Sequence, residues 1–133
     1  MGWGSAPASG PESKSGRTWQ TIAEETGEVR SFPSYAAAKR ALGTEPGTEI
    51  HHIVEQSQTN PSRSGFSVER VNPTDNMVRL PTPAHRQITA RYNRNVRFAN
   101  IRLRDTLNGR SWDDQHRFGS RVIDETLKDS DGR

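Results

Sequence analysis

The sequence predicts a small domain of the α+β class, in which two short strands precede a helix. Residues 49–54 and 76–80 are short runs of strand composition, and the stretch between them contains Ser, Asn, Pro and Gly, as loops do. Directly after the second run, Thr82 and Pro83 form the pattern of an N-cap followed by proline at the first helical position. This pair predicts a helix over residues 83–93. The length of 133 residues favours one domain.

Further helices are expected to flank this unit. Residues 35–42 are strong helix formers, with Ser34 as the predicted N-cap and Gly43 as the C-terminal stop. A second flanking helix is expected over residues 96–107. A third is expected over residues 111–127, because that segment begins with a pattern that resembles a capping box.

The two ends of the chain differ in composition from its centre. Residues 1–16 are rich in Gly, Ser and Pro and predict a flexible linker or an expression remnant. Residues 17–128 are the predicted domain, which would begin with a short hairpin over residues 17–32. Residues 129–133 are expected to be a disordered tail.

Composition excludes several classes of protein. The chain contains no cysteine, so disulfide bonds and thiolate metal sites are excluded, and a metal site must use His, Asp, Glu or Asn. No apolar run approaches the roughly 18 residues that cross a bilayer, so we expect no membrane span. The N-terminal residues also lack the apolar stretch of a secretory signal.

Positive charge is concentrated in one part of the chain. Residues 76–110 carry eight arginines and one acidic residue, a net charge of +7, whereas the segments before and after are each −2. Arginine presents a planar fork that suits phosphate and carboxylate groups. The block therefore indicates a polyanionic partner, most simply nucleic acid, with a solvated helix face as the alternative.

Three of the four histidines are candidates for one functional site, as metal ligands or as a base. His51 and His52 are adjacent in a strand, so their side chains point to opposite faces and cannot easily do the same job. One can bind a metal while the other faces a cleft. His85 lies in the first turn of the predicted helix, where a neutral, metal-bound imidazole is tolerated and a protonated one is not. His116 lies outside this pattern and is expected at the surface.

The order and spacing of these residues resemble the ββα-metal (HNH, His-Me finger) nucleases. Asn76 follows His52 by 24 residues, and His85 follows Asn76 by nine. The longer segments are similar to HNH/endonuclease VII-type toxin domains, which end bacterial polymorphic toxins such as the Rhs-type proteins. The resemblance covers residues 32–127. The segments that carry it are GTEIHHIVEQ at 47–56, NMVRLP at 76–81 and HRQITARY at 85–92, with a weaker match at 111–119.

The resemblance implies a fold and a role for each motif residue. The fold would be a small ββα-metal core with additional flanking helices. His51 and His85 would be the metal ligands, His52 would be the general base that deprotonates water, and Asn76 would brace the loop that carries the histidine pair. Histidine suits the role of base because its ordinary pKa lies near neutrality.

The sequence departs from the family at one position. Several members carry a further histidine four residues after the helix ligand, where this chain has Thr89. Two imidazoles and no third strong ligand leave the rest of the shell to water and phosphate. One divalent ion is expected, Mg²⁺ or Mn²⁺ in turnover, with Zn²⁺ or Ni²⁺ as alternatives. Glu55 and Gln56 follow the first strand as either supporting groups of the site or simple polar residues.

The function implied is a metal-dependent endonuclease that hydrolyses DNA with little sequence specificity, as an antibacterial toxin domain. Phosphate contacts would dominate such binding. An RNA-cleaving enzyme of the same fold and a non-catalytic nucleic-acid-binding module are the alternatives. The chain would be a secreted or delivered monomer that acts in the target-cell cytoplasm, and its maker would need a cognate immunity protein. The arginines expected to contact phosphates are Arg63, Arg79, Arg86, Arg91 and Arg94.

Overall fold

The computed structural model describes residues 17–130 and has a mixed α+β fold. The α+β class is confirmed. The predicted linker over residues 1–16 and the last three residues of the predicted tail lie outside the described residues. The strands are β1 (Thr48–His52) and β2 (Met77–Pro81). The α-helices of the described chain are α1 (Ile22–Thr26), α2 (Tyr35–Leu42), α3 (Val68–Val71), α4 (Thr82–Asn93) and α5 (Trp112–Ser130).

The two strands form a two-stranded antiparallel sheet, and each face of the sheet contacts different helices. His51 lies opposite Val78, and His52 lies opposite Met77. On one face, Val78 packs in a cluster with residues of α4 and α5. On the other face, Met77 packs against residues of α1 and α2. Since neighbouring residues of a strand alternate between faces, His51 is directed towards α4 and His52 towards α2.

Several helix boundaries follow the local signals in the sequence. The Ser34 hydroxyl accepts a hydrogen bond from the Ala37 amide at 3.0 Å, which confirms the N-cap of α2. The Ser111 hydroxyl likewise accepts from the Asp114 amide at 3.1 Å, next to the start of α5. The predicted N-cap of α4 is wrong, because Thr82 is itself the first helical residue. Helix α5 also continues to Ser130, into the segment predicted as a disordered tail.

The hairpin predicted over residues 17–32 is wrong, because this segment contains α1. Thr21 and Glu24 form a capping box: the Thr21 hydroxyl accepts from the Glu24 amide, and the Glu24 carboxylate accepts from the Thr21 amide. The box satisfies two N-terminal amide groups and fixes the start of a helix of five residues.

The helix predicted over residues 96–107 is also wrong. The chain instead turns back at a bridge between Asn95 and Arg102 and then forms a 3₁₀-helix, Leu103–Leu107. The amide side chain of Asn95 donates to that of Asn100 at 3.0 Å. Such local side-chain bonds compete with helix formation and favour a turn.

The C-terminal helix packs directly against the end of β1. A Cβ atom on Gly119 of α5 would lie 2.4 Å from the backbone oxygen of Ile53, so only glycine fits there. This close approach places the helix backbone beside the residue that follows the histidine pair. Among the helices of residues 17–130, none has the length and apolar character that a bilayer span requires.

Candidate functional site

The structure brings His51 and His85 together, 34 residues apart in sequence. Their ring centroids lie 5.2 Å apart, with one ring edge directed at the other ring. Only 6% of the His51 surface is exposed, and its Nε2 atom is buried without a hydrogen-bond partner. Burial lowers the pKa of His51 to about 3, with smaller contributions from His85 and His52. His51 is therefore neutral at pH 7 and presents an unpaired nitrogen beside His85.

A carboxylate orients the second ring. Glu49 Oε1 lies 2.6 Å from Nδ1 of His85. Because a carboxylate only accepts, Nδ1 donates, so in the neutral form of the ring the lone pair is on Nε2. This hydrogen bond lowers the pKa of Glu49 below its ordinary value. A carboxylate on the far nitrogen is the arrangement that typically supports a metal-binding histidine.

His52 lies on the opposite face of the two-stranded sheet from His51 and has different neighbours. Its Nε2 atom lies 3.3 Å from Oδ1 of Asn72, and the Tyr35 ring lies edge-on at a centroid distance of 4.9 Å. If Asn72 Oδ1 accepts from Nε2, Nδ1 is left as the proton-accepting nitrogen. Burial lowers the pKa of His52 to about 4, although the Asn72 contact raises it. The ring is therefore neutral at pH 7.

Asn76 links the segment that follows β1 to the segment that precedes β2. Its Oδ1 accepts from the Val54 amide at 2.9 Å, and its Nδ2 donates to the carbonyls of Val54 at 3.0 Å and Val71 at 2.9 Å. Its own carbonyl accepts from the Ile53 amide at 2.9 Å. The side chain is fully buried. These bonds fix the chain immediately after the histidine pair.

Three of the five arginines expected to bind phosphates are engaged within the fold. Arg79 donates to the carbonyls of Leu42 and Gly43 at 2.9 and 3.0 Å, which caps the end of α2. Arg63 lies 2.8 Å from Asp105. Arg91 lies 2.8 Å from the Glu125 carboxylate.

The other two predicted arginines lie on the surface near the ends of α4. Arg86 is 77% exposed and is 3.8 Å from Glu49. Arg94 is exposed and follows the last residue of the helix. These two side chains have the freedom that a phosphate contact needs.

The side chains that hydrogen-bond to the site histidines, Glu49 and Asn72, are not among the predicted site residues. Glu49 had a readable signal, because it lies two residues before His51 and therefore on the same strand face. Asn72 had none, because it lies 20 residues from His52. Sequence analysis also left Glu55 open, and the structure pairs both of its carboxylate oxygens with Arg104 at 2.8 Å.

The donor set fits a divalent ion held by few protein ligands. Within residues 17–130 there is no cluster of three or more His, Cys, Asp or Glu side chains that could hold a metal. Two imidazole nitrogens are nevertheless available, the unpartnered Nε2 of His51 and the Nε2 of His85. Thr89, where a third ligand would lie, donates its hydroxyl to the His85 carbonyl at 3.1 Å. Water or phosphate oxygens would have to complete the shell.

Comparison of the chain with known protein families, curated proteins and solved structures finds no match.

Proposed function

We propose that this chain is a metal-dependent endonuclease with a ββα-metal core that hydrolyses phosphodiester bonds of DNA with little sequence specificity. The observation that carries the proposal is the pairing of His51 with His85, in which a buried imidazole nitrogen has no partner. A buried nitrogen without a hydrogen-bond partner destabilises the fold, so its presence calls for an explanation such as a bound ligand. A metal ligand is the function that fits a neutral ring beside a second, carboxylate-supported histidine.

His51 and His85 would hold one divalent ion, Mg²⁺ or Mn²⁺ in turnover and Zn²⁺ or Ni²⁺ as alternatives. A bound ion of this kind stabilises the charge that develops on the phosphate and on the leaving oxygen. The Glu49 carboxylate holds the Nδ1–H of His85, so Nε2 would be the nitrogen that binds the ion.

His52 would act as the general base. It is neutral at pH 7, so it can accept a proton from a water molecule that attacks the phosphate, although burial lowers its pKa to about 4 and makes it a weaker base than an ordinary histidine. Asn72 would orient the ring through Nε2, and Nδ1 would take the proton. Asn76 would hold the histidine pair in place through the hydrogen bonds that join it to Ile53, Val54 and Val71.

The arginines favour a nucleic acid as the substrate, through its phosphates. Arg86 and Arg94 are the predicted phosphate contacts that the fold leaves exposed, and both lie on or next to the helix that carries His85. Contacts of this kind carry no sequence information, which agrees with a nuclease of low specificity. RNA cleavage by the same residues is the second candidate, and a non-catalytic nucleic-acid-binding module is the third.

The resemblance to polymorphic toxins supplies the biological setting of the proposal. The chain would be an antibacterial toxin domain, secreted or delivered by a bacterial secretion system, and would act as a monomer in the cytoplasm of the target cell. A cognate immunity protein would protect the producing cell. Its binding surface is expected to be acidic where it meets the arginine-rich segment.

Plasmid digestion with a panel of metals tests the activity. Purified protein is incubated with supercoiled plasmid, or with a structured RNA, in Mg²⁺, Mn²⁺, Zn²⁺, Ni²⁺ or EDTA. We expect metal-dependent nicking and linearisation that EDTA abolishes. His52→Ala should be inactive. His116→Ala is the histidine control and should remain active, because His116, predicted at the surface, is half-buried on α5 beside Trp112 and outside the site. Cleavage of RNA alone would establish the second candidate, and EDTA-resistant binding without cleavage by any metal form would establish the third.

A further inference from the structure

The loop after α4 carries an aromatic side chain that folding does not explain. Phe98 is 94% exposed, the highest value among the exposed large hydrophobic residues of the described chain. Its φ angle is +64°, in the left-handed region that a bulky residue rarely adopts. The fold therefore holds Phe98 in a strained conformation without burying it. Strain of this kind is typical of functional sites.

The loop around Phe98 is an ordered hairpin, which we call the arginine hairpin (residues 94–103). The bridge between Asn95 and Arg102 closes it, and the Leu103 amide donates to the Arg94 carbonyl at 2.8 Å. The Val96 amide donates to the Ile101 carbonyl at 2.8 Å. These bonds close the loop, and its tip presents Phe98 exposed to solvent.

The composition of the hairpin indicates what it contacts. Arg94, Arg97 and Arg102 lie in it, and it contains no acidic residue. The Arg97 guanidinium lies 4.9 Å from the centroid of the Phe98 ring, so positive charge and an aromatic face are presented together. The residues on either side of Phe98 are Arg97 and Ala99, and Ile101 of the same hairpin is 41% exposed.

We propose that Phe98 stacks on an unpaired base of the bound nucleic acid while Arg94 and Arg97 contact the flanking phosphates; Arg102 is instead paired with Asp105 at 3.1 Å. Aromatic stacking combined with arginine contacts is the way in which proteins bind single strands without reading their sequence. The hairpin leaves the C-terminal end of α4, about 12 Å along the helix axis from His85 at 1.5 Å per residue. The proposal rests on the proposed function, because it takes nucleic acid as the ligand.

Binding of fluorescent 15-nucleotide single strands in EDTA tests the stacking without cleavage. DNA and RNA strands are used, each with a matched strand that is abasic over its central positions. Phe98→Ala should weaken binding of the intact strand about tenfold, since base stacking on an aromatic residue typically contributes five- to a hundredfold. Phe98→Tyr should bind like wild type, and Phe98→Leu should resemble Phe98→Ala. On the abasic strand the wild-type protein and Phe98→Ala should bind equally.

The sugar of the strand identifies which nucleic acid uses the contact. Loss of affinity on both DNA and RNA supports stacking on any base, and loss on one alone assigns the contact to that strand. Equal binding of the intact strands by wild type and Phe98→Ala would overturn the proposal. So would a loss that persists on the abasic strand, because it would not depend on a base.

A stability measurement separates this role from a structural one. Phe98→Gly removes the strain at positive φ and should leave the urea midpoint unchanged or higher while it weakens strand binding. A lower midpoint with unchanged binding would assign Phe98 to folding instead. If the wild-type protein binds no strand and cleaves none, the proposed function fails. If it binds and cleaves but the Phe98 variants match it, only this inference fails.

Discussion

Glu49 and His85 form a hydrogen bond of 2.6 Å between β1 and α4, 36 residues apart in the chain. The bond joins the strand that carries His51 to the helix that carries the second imidazole. It therefore fixes both the tautomer and the direction of the His85 ring. The pair provides a direct test of whether this corner of the fold binds a metal.

Glu49→Gln should weaken divalent-metal binding. Glutamine keeps the size and an acceptor oxygen but removes the charge that holds Nδ1–H, and loss of such a supporting carboxylate typically costs about 10- to 100-fold in metal affinity. Calorimetric titration of the metal-free protein with Mn²⁺ and Zn²⁺ measures the change. The matched control is Glu69→Gln, an exposed glutamate on α3. Equal affinities for the two variants would mean that Glu49 does not support a metal ligand.

His52→Ala should separate catalysis from metal binding. The His52 ring lies on the opposite face of the two-stranded sheet from His51, so its removal leaves the two candidate ligands intact. Cleavage should fall by about 10²- to 10⁴-fold, as expected for loss of a general base. Metal titration of His52→Ala and His51→Ala decides between the two roles. A loss of affinity in His52→Ala as large as that in His51→Ala would show that the roles are misassigned.

The salt dependence of DNA binding should identify the arginines that contact phosphates. Each phosphate contact adds about 0.9 to the slope of log K against log salt concentration. Replacing Arg86 and Arg94 together with glutamine should therefore flatten the slope by about two units. Arg79→Gln is the matched control, because Arg79 caps α2 and should affect stability without changing the slope. A slope that the double substitution leaves unchanged would show that these arginines face away from the DNA.

The metal-free protein should lose stability as the pH falls from about 6.5 towards 4. Burial lowers the pKa values of His51 and His52 to about 3 and about 4, so the folded state keeps them neutral while the unfolded state binds protons. The free energy of unfolding therefore decreases as the pH decreases through this window, by roughly 1.4 kcal/mol per pH unit for each histidine. Urea denaturation at pH 7, 6 and 5 in EDTA measures the slope. The double variant His51→Gln/His52→Gln should flatten it, and a midpoint that is constant from pH 7 to pH 5 in the wild type would contradict the assignment.

Gly119→Ala should destabilise the domain and disturb the histidine pair. The new Cβ would lie 2.4 Å from the Ile53 carbonyl, which follows His52 directly, so α5 or the end of β1 must move. Overpacking of this kind costs about 1–3 kcal/mol, and urea denaturation measures it. Ser120→Ala, the next residue of the same helix, is the control and should change the midpoint little. A Gly119→Ala protein as stable as the control would show that the contact relaxes without cost.

The sequence by itself determined the elements whose signals are local. The helix formers of α2 lie between Ser34 and Gly43, and the structure begins and ends the helix there. The strands β1 (Thr48–His52) and β2 (Met77–Pro81) form within two residues of the predicted runs 49–54 and 76–80, although Asn76 itself belongs to the 3₁₀ turn before β2. Helix α4 begins one residue before the predicted start and ends where the sequence predicts. Capping, propensity and turn residues act within a few positions of the chain, so they can be read before the fold is known. The capping box of α1, Thr21 with Glu24, is an equally local signal.

The tertiary structure decided which side chains meet. It placed Glu49 on His85, Asn72 on His52 and Arg104 on Glu55. It also engaged Arg79 at the end of α2, where charge counting expected a phosphate contact. Residues 96–107 became a hairpin tip and a 3₁₀-helix, because the Asn95 bridge and the ion pair of Arg104 with Glu55 outweighed helix propensity. Contacts between residues 20 to 50 positions apart depend on how the two-stranded sheet and the helices pack, and no short-range pattern encodes that packing.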